Sequence, residues 1–373
     1  MQSRVLALLN CHNSPELGDL TATRPLASTS FLGRYALMDF AMSNFTNSGF
    51  QNISVLVKNH QRSILKHMGN MMFWVNNTKL GRVGTLTNED GILNPAYNTD
   101  INNIKENDYL LYESDIDTLL FAAPEIIASV DFRPYIEEHF KRGEKITMIY
   151  KDIKDADKQF VGGHILDVDE EGYLVNAERN TGDKKVAKAS LEMWIINREI
   201  LREMVERQKR VDASWGIAQM IVHFAKNGLA KAHCVPFDGY VRRFDSLKHY
   251  CEYSFELLEH ENSRALFKHD WPIWTRTHDT PPAIYGENSK VNNSFISNGC
   301  IIDGEVKDSI ICRGVKIAKG AKIKRSIILS MSQIGANASL KDVVMDKYCI
   351  MSEKHHIEGD EENIIYLKQG ITV

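Results

Sequence analysis

The residues of this chain best placed for phosphate chemistry lie between Val5 and Phe50. Val5 to Leu9 is a short, wholly apolar run, the mark of a buried strand. A polar loop, Asn10 to Gly18, follows it. A loop just past the first buried strand of an α/β sheet is where nucleotide phosphates usually sit. This loop has the place but not the residues. No glycine precedes Gly18, so backbone N–H groups lack the close approach that a phosphate needs. A second candidate is Glu125, just past the apolar strand Asp117–Ala123, because ligands of open parallel sheets sit at such strand ends. His355 and His356 have no Cys or third His nearby and read as a solvated tail rather than a metal site. Arg313, Lys316, Lys319, Lys322, Lys324 and Arg325 cluster with no acidic residue between Asp308 and Asp342. They read most simply as a solvated outer face; the sharper alternative is a site for an anionic effector.

The elements that must position these residues come from composition and periodicity. With 373 residues the chain suits two domains better than one. A net charge of −4 argues against wholesale nucleic-acid binding. No apolar run reaches the length of a bilayer span, and the N-terminus is too short for a signal peptide. The six scattered cysteines show no CxxC spacing and read as reduced thiols, so the expectation is a cytoplasmic protein with no membrane partner.

Asn52–Val57 reads as a second buried strand, and His60–Met68 as a helix. Residues 69–107 carry five Asn between Asn94 and Asn107 and read as a long loop region with short strands, functional or a partner surface. Asp131 and Pro134 open a helix that Gly143 stops. A strand at Lys145–Tyr150, a hairpin at Gly163–Leu174 and a strand at Leu191–Ile196 follow. Asn197 caps a helix to about Arg210, and further helices cover Trp215–Lys226 and Ser246–His260. The expected division is 1–267 for the α/β domain, 268–288 for an extended linker and 289–373 for the second domain. Trp271 and Trp274 in the linker are expected to pack between the domains.

From Val291 the rhythm changes to six: Ile311, Ile317, Ile323 and Leu329 form one series, and Val315, Ala321 and Ile327 another. A hexapeptide repeat explains this spacing, and it builds a parallel β-helix of about three coils here.

These residues carry a resemblance that covers nearly the whole chain. Phe31 to Asn44 is similar to the FGGKYRIIDFxLSN segment of the glucose-1-phosphate adenylyltransferase (ADP-glucose pyrophosphorylase) family, Asn47 to Gly49 to its NSG, and Val130–Phe132 to its strand and MDY segment. Pro281 to Ala283 stand before the hexapeptide domain, as in the family. The resemblance implies a Rossmann-like nucleotidyltransferase domain with a mostly parallel mixed sheet, then a left-handed parallel β-helix, in a tetramer.

The departures point one way. The two glycines of the family's catalytic loop fall on Asn10 and Cys11, and its phosphate-binding arginine on Glu16. A magnesium-binding aspartate falls on Glu125, and the second on Arg243, which cannot be a metal ligand. The sugar-phosphate lysine falls on Arg179, and another lysine on Ile217. A two-residue slip brings Arg24 onto the lysine of the AKPAVP segment, and Arg34 matches the lysine of FGGKYR, near the family's effector sites. The resemblance therefore implies a GlgD-type regulatory subunit of glycogen biosynthesis with no cofactor of its own. Magnesium would belong to a catalytic, GlgC-type partner in a heterotetramer, and Arg24, Arg34 and Arg179 are the candidates for binding substrate or an effector such as a sugar phosphate. The rivals are a weakly active nucleotidyltransferase, a hexapeptide acyltransferase (though residues 291–350 hold no histidine) and an assembly scaffold.

Overall fold

The computed structural model describes residues 4–69, 72–75, 82–89, 94–112 and 115–373. Its first half is built on a nine-stranded mixed sheet. The strands are β1 (Val5–Asn10), β2 (Asn52–Val57), β3 (Arg82–Thr87), β4 (Thr118–Ala122), β6 (Ile146–Ile153), β7 (His164–Val168), β8 (Leu174–Arg179), β9 (Ala187–Asn197) and β10 (Ala232–Pro236), with β5 (Ile126–Ala128) outside it. The order runs β8-β7-β9-β4-β1-β2-β3, and β6 pairs with both β9 and β10. β3, β2, β1 and β4 are mutually parallel, and β9 turns antiparallel against β4. Every residue of β1 is buried, as a strand covered on both faces requires. The chain leaves β1 for β2 on one side and reaches β4 on the other, so the crevice beyond the ends of β1 and β4 is the switch point of the sheet.

Two apolar layers flank the sheet. One holds helix α1 (Met38–Asn47), with Met42 and Phe45 against Val55 and Leu120. The other holds α5 (Arg198–Val211) and α6 (Ile217–Lys226), with Leu201, Met220 and Phe224 against Met148 and Trp194. Between these come α2 (Gln61–Met68), α3 (Asp100–Glu106) and α4 (Arg133–Arg142), and after them α7 (Leu247–Glu256) and α8 (His260–Leu266).

Several local expectations need correction. The Asn-rich stretch holds an expected strand, β3, but also a helix, α3, where loop was expected; its residues 70–71, 76–81 and 90–93 lie outside the described ones. Its asparagines are scaffolding. Asn98 donates to the Lys58 carbonyl at 3.1 Å, Asn103 to that of Leu86 at 3.1 Å, and Asn107 to that of Thr87 at 3.0 Å. Each satisfies a buried carbonyl that a strand end would otherwise leave bare. Asn197 does not cap α5 with its side chain, which instead meets His139 Nε2 at 2.8 Å and the Glu144 carbonyl. Trp271 and Trp274 bind the first domain alone through their indole N–H groups, donating at 2.9 Å to Asn44 and Asn47 on α1.

The second half is a left-handed parallel β-helix of three five-stranded sheets, hence five coils and not three. Its first strand, Ile284–Tyr285, pairs with Ile301–Ile302 and already lies within residues 268–288. Successive coils pair at offsets of 15 or 17 residues rather than 18, so that Lys316 lies beside Gln333 and Ile323 beside Leu340; the exception is the last turn, where Val344 pairs with Tyr366, 22 positions on. One residue is dropped at a tight corner in most coils, where Asp308, Arg325 and Asp342 take φ of 49°, 43° and 51°. The six-residue series therefore breaks once per coil. Ile328, not Leu329, joins Ile311, Ile317, Ile323 and Ile334 in the coil interior. Leu329, with Ile310, Cys312, Ile327 and Val344, turns outward into a core shared with Phe31, Phe40, Phe244 and Tyr250 of the first half. Gly33 sits in this seam with φ 74°, and a Cβ there would collide with Ser297 Oγ, so only glycine lets the Phe31–Arg34 turn reach the coils.

Candidate nucleotide crevice and interdomain cleft

Asn10 ends β1 with its side chain in the crevice. Its Nδ2 donates to Asp100 Oδ2 at 2.7 Å, and its Oδ1 accepts the His12 amide at 3.0 Å. Asp100 is fully buried at the start of α3. Its Oδ1 also accepts the amides of Ile101 at 2.8 Å and of Ile217 at 2.9 Å, the first residue of α6. Two helix N-termini, whose exposed N–H groups and dipoles favour an anion, thus share a carboxylate that belongs to the chain itself. His12 locks the loop further: its Nδ1–H donates to the Asn98 carbonyl at 3.3 Å and its Nε2 accepts from Asn103 at 3.0 Å. Nε2 can accept from Asn103 only on the neutral ring, and burial pushes the pKa down to about 4. Cys11 is buried and burial raises its thiol well above the ordinary range, which leaves it inert as a nucleophile. Glu16 is exposed on the loop, and Ile217 presents only its amide to Asp100 while its side chain joins the α6 core.

Glu125 and Arg243 do come together. Arg243 ends β11 (Val241–Arg243), which pairs antiparallel with β5, and the Phe244 amide donates to the Glu125 carbonyl at 2.9 Å. Glu125 is fully buried; Oε2 accepts from Ser14 at 3.0 Å and Oε1 has no partner. Burial raises its pKa, and the nearby Arg243 guanidinium opposes that rise in part. Arg243 is 5% exposed, donates to the Val161 carbonyl at 2.9 Å and lies 3.8 Å from Asp245. Behind them, Glu192 sits at φ 52° in a bulge of β9 and meets His164 Nδ1 at 2.8 Å, raising the histidine's pKa. Arg179 is exposed at the end of β8 beside Gly162, on the His164 side of this group.

A magnesium ion does not fit this group. The orphan Glu125 Oε1 is the kind of oxygen a cation would satisfy, but a fixed guanidinium stands where the second carboxylate would be needed, and its charge opposes a divalent ion. Among the described residues, no group of three or more His, Cys, Asp or Glu is arranged to hold a metal.

A second site lies between the halves. A cleft of about 750 Å³ is bordered by Arg24, Arg34, Arg62, Lys66, Arg276, Arg313 and Lys347, with His60, His67 and His278. No Asp or Glu lines it among the described residues. The acids nearby are withdrawn behind the wall: Asp39 meets His67 at 2.6 Å, and Asp346 is paired with Arg24. Arg34 is exposed on this wall, and Arg313 donates to its carbonyl at 2.9 Å. Arg24 is 4% exposed with one nitrogen committed to Asp346 and the other, Nη1, unpartnered. The structure therefore brings Arg24 and Arg34 to one cleft and leaves Arg179 at the other site. The basic run of the coils divides: Arg313 faces the cleft, Lys316, Lys322 and Lys324 are exposed, and Arg325 pairs with Asp342 and Glu361. His355 and His356 are exposed, and His356 meets Ser339 Oγ.

Asp100, Asn103, Glu192 and Asp245 went unmarked in the sequence. Thr99 before Asp100 carried a capping signal, since its Oγ1 accepts the Asn102 amide, but nothing local says that Asp100 crosses to Asn10 and Ile217.

The comparisons with known proteins bear on the fold and the family. Residues 282–373 match a family described as "GlmU-like, C-terminal hexapeptide". A protein of Bacillus cytotoxicus named glucose-1-phosphate adenylyltransferase is 24% identical over 99% of both chains. Proteins of the same name from Fervidobacterium nodosum and Thermotoga maritima are 26% and 28% identical, covering 90% and 87% of this chain and 81% and 77% of theirs. Along nearly its whole length the chain is similar to glucose-1-phosphate adenylyltransferases, which supports its place among nucleotidyltransferases.

Proposed function

We propose that this chain is a non-catalytic, regulatory subunit of a glucose-1-phosphate adenylyltransferase, the enzyme that makes ADP-glucose and pyrophosphate from ATP and glucose 1-phosphate in glycogen biosynthesis. It pairs with a catalytic homologue in a hetero-oligomer and alters that partner's activity. The observation that carries this reading is the Asn10–Asp100–Ile217 network: the donors of the crevice are spent on the chain's own carboxylate. Nucleotidyl transfer depends on positioned donors and cations that neutralise phosphate charge, and neither is free here. The interdomain cleft supports the regulatory half of the proposal. Its uncompensated cations suit an anionic effector such as a sugar phosphate, with Arg34 the most accessible contact. Such a ligand changes a partner only if it binds two states of the assembly unequally.

The test is pyrophosphate release by the purified chain with ATP, glucose 1-phosphate and magnesium, alone and after co-expression with a catalytic homologue. The expected result is no turnover alone, and a changed rate or effector response in the complex. Robust turnover by the chain alone would sink the proposal, as would failure to form a complex.

A further inference from the structure

The linker tryptophans are held rigidly and yet left uncovered. Trp271 donates its indole N–H to Asn44 Oδ1, and Trp274 donates its own to Asn47 Oδ1, both at 2.9 Å. Asn44 and Asn47 are three apart on α1, so the two indoles are anchored side by side along one face of that helix, about 5 Å apart. The backbone between them is fixed as well: Asn47 Nδ2 donates to the Pro272 carbonyl at 2.8 Å, and Trp274 N to Ser43 Oγ at 2.8 Å. Rings that served only to fasten the linker would be buried, but Trp274 is 41% exposed and Trp271 half-buried. Trp271 forms part of a groove of about 520 Å³ where the end of α1, the start of α4 and the linker meet. Asn47, the acceptor of the Trp274 N–H, lines it too, so Trp274 stands at its margin. The charged side chains of the groove are Asp131, Arg133, Lys268 and Asp270. Arg133 forks onto Asp131, with Nε 2.8 Å from Oδ1 and Nη2 2.7 Å from Oδ2, and its guanidinium carbon lies 5.9 Å from the centre of the Trp271 ring. Arg133 Nη1 and the side chains of Lys268 and Asp270 have no hydrogen-bond partner among the described residues.

Two carboxylates and two cations leave the groove without net charge, and that balance selects the occupant. A strongly charged ligand meets as many repelling groups as attracting ones. An apolar peptide or acyl chain strips water from four charged groups and replaces it with nothing. A neutral polyhydroxy ligand avoids both costs: its hydroxyls donate to Asp270 and accept from Lys268 and Arg133, while the C–H face of a pyranose packs on an indole ring. Two rings anchored one helical turn apart suit a chain of such units better than a single sugar. We infer that this groove is a surface binding site for an oligosaccharide chain, and that the chain is an α-1,4-glucan. The groove carries the first part; the choice of glucan rests on the proposed place of the protein in glycogen biosynthesis. The groove shares no lining residue with the interdomain cleft, so the two sites are separate.

The experiment is calorimetric titration of the full chain with maltoheptaose, and with cellohexaose as the second probe. Maltoheptaose is expected to bind, and cellohexaose to bind at least about tenfold more weakly. Trp274→Ala and Asp270→Ala change exposed side chains, so both should keep the circular dichroism and thermal midpoint of the wild type. Each should weaken maltoheptaose binding by about tenfold. Arg34→Ala, in the cleft, should leave that binding unchanged, and so should raised salt, because the ligand is neutral. No binding of either sugar, an affinity unmoved by both groove variants, or one lost with Arg34 or with salt would each overturn the site. Equal binding of the two sugars would overturn the choice of glucan. Pyrophosphate release by the chain alone, which sinks the regulatory proposal, leaves this titration as it is, so the two readings fail separately.

Discussion

The crevice and the cleft are opposite answers to the problem of charge in a concave site. In the crevice the chain has supplied partners for its own donors: Asn10 and two helix N-termini meet Asp100, and Glu125, one oxygen of which has no partner, lies near Arg243. In the cleft it has supplied mostly one half: seven Arg and Lys side chains border the space, and of the nearby acids Asp346 pairs with Arg24 and Asp39 with His67, both behind the wall. Self-satisfied groups add stability and repel ligands; unsatisfied ones cost stability and await a ligand. Under the proposed function, the first is a site that has become structure and the second a receptor.

That comparison breaks most easily at Asp100. Asp100→Ala strands the Asn10 amide and the Ile217 N–H in a buried space, and urea unfolding should show a loss of roughly 5 kcal/mol. A loss below about 1 kcal/mol would mean that the crevice is not held by this carboxylate. Next is the pair behind the cleft. Asp346→Ala leaves Arg24 and the Tyr366 hydroxyl without their buried acceptor and should cost roughly 4 kcal/mol by the same measurement.

His12 gives a pH test of the crevice. Its pKa falls from 6.5 to about 4 on folding, so the unfolded chain binds the extra proton first as pH drops. The stability that the neutral ring supplies is whole above pH 6.5 and declines between there and about pH 4, by about 3 kcal/mol. His12→Gln should flatten that part of the stability–pH curve; an unchanged slope would remove His12 from the account. The smallest effect belongs to the cleft. Arg34→Ala should weaken binding of a sugar phosphate by about tenfold, and raised salt should weaken the wild type likewise. Titration calorimetry reads both, and an affinity indifferent to Arg34 and to salt would deny the cleft its role as receptor.

How much of this was legible in the sequence follows from the range of the interactions. β1 and β4 were readable because strands buried on both faces are nearly continuous apolar runs, and β2 because only Asn52 and Ser54 interrupt its run. The β-helix was readable from its period, but its coil number was not, because the outer coils lose the strict series and a residue is dropped at corners such as Arg325. Residues 94–107 misled because buried Asn and surface Asn look alike in a sequence; what distinguishes Asn103 is the strand carbonyls it meets. Glu125 and Arg243 lie 118 positions apart, and only the pairing of β5 with β11 brings them together. Arg24 was picked out as a ligand contact, and its partner Asp346 had no local signal at all.

That last pair bears on how the molecule comes apart. Arg24 and Asp346 are 4% and 1% exposed, and they lie in a seam where Phe31, Phe40 and Tyr250 share one apolar core with Ile310, Ile327 and Val344. Neither half can melt without baring that core and leaving a charge stranded, so heating should give one cooperative transition rather than two. A protease cut between Lys268 and Pro281 should likewise leave the two fragments bound to each other.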